Sequence, residues 1–316
     1  MKKIAIVMAS LLAFSAAGAF ADDALTLPAG VIRITTAFSY AMGDQEFDVD
    51  GEAQDLDDAI SAMNIGFALE YGINDWISAA FQWAPGYTFS SEIGDTDAKL
   101  NGAYDIFAGA KIQIVGPKAL VPHESFRFAV APGVKIPLPG ADFEEEVDNV
   151  MAGDEFIAQD ADKHALGLGT RLYADYVVNK MFFVNLYSEF IYYLEKADAQ
   201  FMAFTPFPVV AEADIAYGYD LKFELDPHFE YMVSDGMRFS ASLPVTYSMS
   251  PDMEINGEKV DDSASNLLSV GPNASMFFMK SVVPFELKLA YILPVMGTNE
   301  TKMSAFSLQG KVYLKF

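Results

Sequence analysis

The chain contains no cysteine, which excludes disulfides, thiolate metal sites and a lipid-modified cysteine anchor. Histidine is nearly as scarce, with His123, His164 and His228 far apart in sequence and without a metal-ligand spacing. Basic residues are outnumbered, 20 against 44 acidic ones, so no basic patch exists to meet a nucleic-acid backbone. No phosphate-cradling glycine loop or nucleophile elbow is present, and nothing in the sequence implies a cofactor. Beyond the first twenty or so residues there is also no run of about 18 apolar positions, so helical membrane spans are excluded.

What is present begins at the N-terminus. Lys2 and Lys3 precede an apolar stretch from Ile4 to Ala19, and Ala19-Phe20-Ala21 is a small-x-small site. This pattern is that of a secretory signal peptide, residues 1–21, cleaved before Asp22. Residues 22–316 then form one domain with 18 basic and 44 acidic side chains, a net charge of −26. Yet the whole chain is 52% hydrophobic, with a mean hydropathy of +0.19. Such a chain must separate its two kinds of residue in space.

Alternation is how it does so. In the last segment Phe306, Leu308, Gly310, Val312, Leu314 and Phe316 share one face, opposite Ser307, Gln309, Lys311, Tyr313 and Lys315. The same period of two places Leu287, Leu289 and Tyr291 opposite Glu286, Lys288 and Ala290, as side chains on a strand require. A soluble sandwich would alternate too, but its strands usually have about five or six residues. A tilted spanning strand needs roughly 9–11 within the hydrocarbon. The segments here are long: 30–41, 61–71, 76–89, 101–115, 125–139, 164–178, 181–195, 213–233, 237–249, 265–279, 285–296 and 303–316. Short connections such as Asn179-Lys180 and Ser234-Asp235-Gly236 alternate with long ones at 42–60, 90–100, 140–163, 196–212, 250–264 and 297–302. The expected fold is therefore all-β: a closed antiparallel transmembrane barrel of about twelve strands, with short periplasmic turns and long acidic extracellular loops, in a bacterial outer membrane.

The even strand count puts both ends in the periplasm, and the terminal aromatic Phe316 resembles the signal read by the outer-membrane barrel assembly machinery. The expected partners are therefore the lipid bilayer, that machinery and small-molecule solutes.

Charge then sorts by position. Loops 42–60, 140–163 and 250–264 hold half of the 44 acids, and read as a solvated, mutually repelling outer surface. Glu46, Asp48, Asp50, Gly51 and Asp57 fall at positions of a calcium loop, but between strands rather than helices. On the polar face of the strands, Arg33, Lys111, Arg127, Arg171, Lys222 and Arg238 are balanced by Glu70, Asp105, Asp175 and Asp220. Facing lipid, each would cost up to about 2–4 kcal/mol near the midplane; facing inward, they line a lumen. These ten are the candidate lumen-lining residues.

Proline-bearing phrases recur near strand ends: Lys135-Ile136-Pro137-Leu138-Pro139-Gly140, Leu243-Pro244-Val245 and Leu293-Pro294-Val295. Lacking an N–H, proline suits an outer rim or a bulge. With Leu69-Glu70-Tyr71-Gly72-Ile73-Asn74-Asp75-Trp76, these phrases resemble outer-membrane transporters of the FadL-like and phenol-degradation (MetA-pathway) type. The resemblance implies passive uptake of small, often hydrophobic, compounds. FadL-type barrels have fourteen strands and an N-terminal hatch. Here Asp22 to Ala29 are too few for a hatch, so no ligand-binding residues carry over. A second reading is a non-conducting surface-display or adhesin barrel whose acidic loops hold calcium. An enzyme is not expected. His123-Glu124-Ser125 has the His-x-Ser spacing of outer-membrane phospholipase A, but Phe126-Arg127 stand where that motif has Asn-Gly.

Overall fold

Twelve alternating segments, each apolar on one face, close into a sheet without an edge. A computed structural model describes residues 23–93, 96–102, 105–152, 162–204 and 207–316; the expected signal peptide lies outside them. The barrel strands are β1 (Val31–Phe47), β2 (Ala53–Asn74), β3 (Ile77–Ile93), β4 (Ile106–Gly116), β5 (Phe126–Ile136), β6 (Gly167–Val177), β7 (Phe182–Tyr193) and β8 (Tyr219–Ser234). They continue as β9 (Met237–Ser242, then Val245–Ser250), β10 (Ser265–Val270, then Asn273–Phe278), β11 (Phe285–Thr298) and β12 (Ser304–Lys315). Each pairs antiparallel with the next. β12 returns to β1, from Val31 opposite Lys315 to Met42 opposite Ser304, so every spanning strand has two partners. In lipid that closure is obligatory, because an unpaired edge would leave N–H and C=O groups without partners.

The outward face is an apolar belt. Ile34, Phe38, Leu69, Phe223, Leu287, Leu289 and Leu308 are all exposed, whereas Thr35, Ala37, Gln309 and Lys311 on the opposite face are buried. This is the inverse of a soluble domain, and it identifies the outer surface as the lipid-facing one.

Pro244 and Pro272 interrupt the wall without shifting its register. β9 breaks at Leu243-Pro244 and β10 at Gly271-Pro272, and the pairing between the two strands keeps the same offset on both sides. Gly271 N–H donates to the Pro244 carbonyl at 2.9 Å and Tyr291 N–H to the Pro272 carbonyl at 3.0 Å. Pro244 therefore lies within the wall and not at the rim its phrase suggested. A neighbouring strand still uses its carbonyl while its missing donor opens the ladder. Pro294 does sit beside a bulge, between Leu268 and Ser269 of the facing strand.

The outer connections depart furthest from expectation. The loop expected over 42–60 shrinks to a tight turn, because β1 runs on to Phe47 and β2 starts at Ala53. Residues 196–212 form most of a hairpin, Lys196–Phe204 with Pro208–Ala216. Residues 213–216, expected to open β8, belong to that hairpin, and Gly218 at φ +69° turns the corner into the barrel. In 140–163 a helix, α1 (Phe143–Ala152), packs Phe143 against Val147, Val150 and Val210 of the hairpin. Above the lipid both faces of a strand meet water, so pairing continues where alternation has faded.

Candidate functional site in the barrel lumen

Register decides which of the ten candidate residues meet. Arg33 lies opposite Glu70, Arg127 opposite Asp175 and Arg171 opposite Glu189. Each forms a cross-strand ion pair, Arg127 to Asp175 at 3.6 Å. Arg238 reaches Glu230 at 3.1 Å. Lys111 donates to the backbone carbonyl of Asp23. Lys222 lies over the Tyr187 ring, 5.9 Å from its centroid. The set is spread over the height of the barrel and is not one constellation.

The two halves of the wall differ in bulk. On β4 to β7, Phe107, Tyr173, Tyr187 and Tyr193 are buried. Arg171 stacks on Phe107 at 3.7 Å and Lys111 on Tyr173 at 4.3 Å, so rings and ion pairs fill that side. On β9 and β10 many inward positions are small hydroxyl residues, several of them facing carboxylates of β8. Ser240 meets Ser275 at 2.9 Å, Ser242 donates to Asp226 at 3.0 Å, Thr246 to Glu224 at 3.1 Å and Ser250 to Asp220 at 2.6 Å. Where β12 adjoins β1 to β3, a cavity of about 30 Å³ lies among Arg33, Thr35, Glu70, Gln82, Gln309 and Lys311, room for about one water.

Two segments outside the strands enter the lumen, and neither was legible as a site. At the outer end, Asp162, Lys163, His164 and Ala165 are all buried. His164 adopts φ +48°, in the left-handed region that residues other than glycine visit mainly in turns. Lys135 donates to Asp162 at 2.6 Å, and the Asp162 carboxylate in turn accepts the N–H of Asp105 at 3.0 Å. His164 Nδ1 meets Asp105 Oδ1 at 2.8 Å. Lys163 pairs with Asp220, which also accepts from Tyr193 Oη at 2.7 Å.

At the periplasmic end, residues 23–29 form a strap along the inside of β2 to β6. Ala24 N–H donates to both oxygens of Asp175, at 3.2 and 3.1 Å, and Leu27 N–H to Ser78 Oγ at 3.0 Å. Thr26 Oγ1 donates to the Asp75 carbonyl at 2.9 Å. Gly72 is required where the strap crosses β2, since a Cβ there would lie 2.2 Å from the Pro28 carbonyl oxygen. Asp175, fully buried, also pairs with Arg127 at 3.6 Å and accepts from Asn185 at 2.8 Å, and no feature of the sequence announced the strap.

Between β11 and β12, Glu300 is buried at the outer rim. Burial pushes its carboxyl from the usual 4.5 up to about 8, against the opposing Ser265 hydrogen bond. A carboxyl raised in the folded state favours folding below about pH 4.5 and loses that contribution as pH climbs through 8. Glu300→Gln should therefore match the wild type at pH 5 and resist urea better at pH 9. The shift bounds the gain at about 5 kcal/mol, and equal midpoints at both pH values would refute it.

The remaining sequence motifs have structural roles. His123 Nδ1 accepts the backbone N–H groups of Ser125 and Phe126 at 3.2 and 2.9 Å, capping a turn. In the 42–60 segment, Asp48 Oδ1 accepts the N–H groups of Asp50 and Glu52, which holds its carboxyl below the usual range. Glu46 lies in β1 and Asp57 in β2, so the calcium-loop positions do not form one loop. Among the described residues, no three acidic or histidine side chains gather as metal ligands.

No protein-family model matches the chain, and no curated protein does. Solved structures do. The COG4313 outer membrane channel from Pseudomonas putida F1 matches with a TM-score of 0.69 at 12% identity, covering 93% of this chain and 99% of that one. The β domain of the Bordetella autotransporter BrkA matches at 0.51 and 9% identity, over 90% and 99%. A Pseudomonas aeruginosa FadL homologue is also matched, at 0.38 and 10% identity over 90% of each chain. Outer-membrane barrels are thus among its structural neighbours, and at these identities the likeness is one of fold.

Proposed function

We propose that this protein is an outer-membrane channel that lets small solutes cross passively. The observation that carries the reading is the uneven inner wall of a lipid-facing closed barrel. β4 to β7 are packed with rings and ion pairs, whereas β9 and β10 present small hydroxyl side chains. Polar atoms on the inner wall support a wet lumen: Glu70 Oε1, both amide atoms of Asn64, Arg127 Nε and Arg238 Nε have no hydrogen-bond partner among the described residues. Groups of this kind are ordinarily satisfied by water. Arg33, Glu70, Asp105, Lys111, Arg127, Arg171, Asp175, Asp220, Lys222 and Arg238 would line this path. The chain would reach the membrane through its signal peptide and the barrel assembly machinery, with Phe316, an exposed ring at the end of β12, as the recognised terminus.

The family resemblance implies hydrophobic solutes, whereas the hydroxyl wall favours solutes that hydrogen-bond. Liposome swelling separates the two classes. Vesicles holding the refolded mature protein should swell in a small neutral polyol and conduct as discrete single channels in planar bilayers. Swelling only with apolar compounds would leave the hydrophobic class. A folded barrel silent in both assays would sink the open-channel reading and return the display barrel.

A further inference from the structure

On β8 the inward positions read Asp220, Lys222, Glu224 and Asp226, and their neutralisation is uneven. Asp220 has Lys163 as its counter-ion. Glu224 accepts one hydrogen bond, from Thr246 Oγ1, and Asp226 Oδ2 accepts one from Ser242 Oγ. Among the described residues neither carboxylate has a lysine or arginine nitrogen as a salt-bridge partner; His228 Nδ1 is 3.7 Å from Asp226. Asp226 Oδ1 has no hydrogen-bond partner among the described residues, although the residue is only 9% exposed and Glu224 only 8%. Lys222, the cation on the same strand face, leans over the Tyr187 ring. Buried carboxylates are costly to leave uncompensated, and residues two apart on one strand face lie about 7 Å apart, so one small cation could serve both.

We propose that Glu224 and Asp226, with the hydroxyls of Thr246 and Ser242, form a lumen site for a small monovalent cation or the ammonium group of an amine solute. Two carboxylates and two hydroxyls suit a weakly held, exchangeable cation better than calcium, which takes six to eight oxygen ligands. The net charge of −24 works in the same direction, since an acidic outer surface raises the local concentration of cations at the mouth. The site deepens the channel reading and rests on it.

The test is the reversal potential of the mature barrel in a tenfold potassium chloride gradient. Cation preference is expected in the wild type, and Glu224→Gln with Asp226→Asn should bring it close to zero. Asp50→Asn with Glu258→Gln, on the outer surface, should change it little. Lys222→Gln should strengthen it, which keeps the test open if the lumen pair impairs folding. Selectivity that followed the outer pair and ignored the lumen pair would overturn the site. A second readout does not need conduction: crystals soaked in rubidium chloride should show an anomalous peak between the two carboxylates, absent from the double variant. A silent barrel with that peak would keep the site and sink the channel. A conducting barrel with neither cation preference nor peak would do the reverse.

Discussion

Deleting residues 23–29 should raise single-channel conductance several-fold and remove long closures from the current record. The strap occupies lumen that the barrel does not need for closure, because β1 and β12 pair without it from Val31 onward. Its hold is modest. Ala24 and Leu27 are its buried side chains, worth roughly 2–4 kcal/mol together. Its hydrogen bonds to Asp175, Ser78 and Asp75 contribute about 1 kcal/mol each. Ordering seven residues costs about 1–2 kcal/mol each, comparable to or above what these contacts return, so the seated strap is expected to exchange with a released one. The wall behind it is prepared for either state: Asp175 keeps Arg127 at 3.6 Å and Asn185 at 2.8 Å, and Ser78 can turn to water. Asp175→Ala should move conductance in the same direction by less, since it removes one anchor of several. A deletion variant that folds, by its heat-modifiable mobility on gels, yet conducts like the wild type would make the strap a piece of wall.

The barrel itself was legible because lipid imposes the pattern. Wherever a strand crosses hydrocarbon, one face must be apolar, so Leu287, Leu289 and Tyr291 announce β11 and Phe306 and Leu308 announce β12. Where lipid ends, the constraint ends. Gln45-Glu46 in β1 and Gln54-Asp55 in β2 still pair as strands, but nothing in their sequence distinguishes them from loop. The inward segments were illegible for a different reason. Lys163 and His164 follow an acidic stretch and carry no period, and their burial is decided by Asp220, Asp105 and Lys135 on three distant strands. The strap is seven residues of unremarkable composition whose position depends on Gly72, Ser78 and Asp175. Pairing partners across a lumen are set by register and shear, and a one-residue period of two holds no record of either.

The contrast between the two halves of the wall predicts two very different costs for removing an arginine. Arg171 is 6% exposed and its partner Glu189 8%, and the pair is sealed by the Phe107 ring and by Tyr187 Oη, which donates to Glu189 at 2.9 Å. Arg171→Met leaves that carboxylate buried with a phenol as its closest donor, and a buried ion pair broken from one side costs about 3–5 kcal/mol. Adding Glu189→Leu should recover much of the loss, since the orphaned charge goes with it, and the cycle should return a coupling of about 2 kcal/mol or more. Arg238 and Glu230 face the open half, with side chains 33% and 24% exposed, where water solvates whichever partner is left. Arg238→Met should therefore cost about 1 kcal/mol or less. Urea unfolding in detergent micelles, followed through Trp76 and Trp83, measures both. Equal costs at the two sites would mean that the ring-filled half is as wet as the hydroxyl half, and the solute path would lose the wall that confines it.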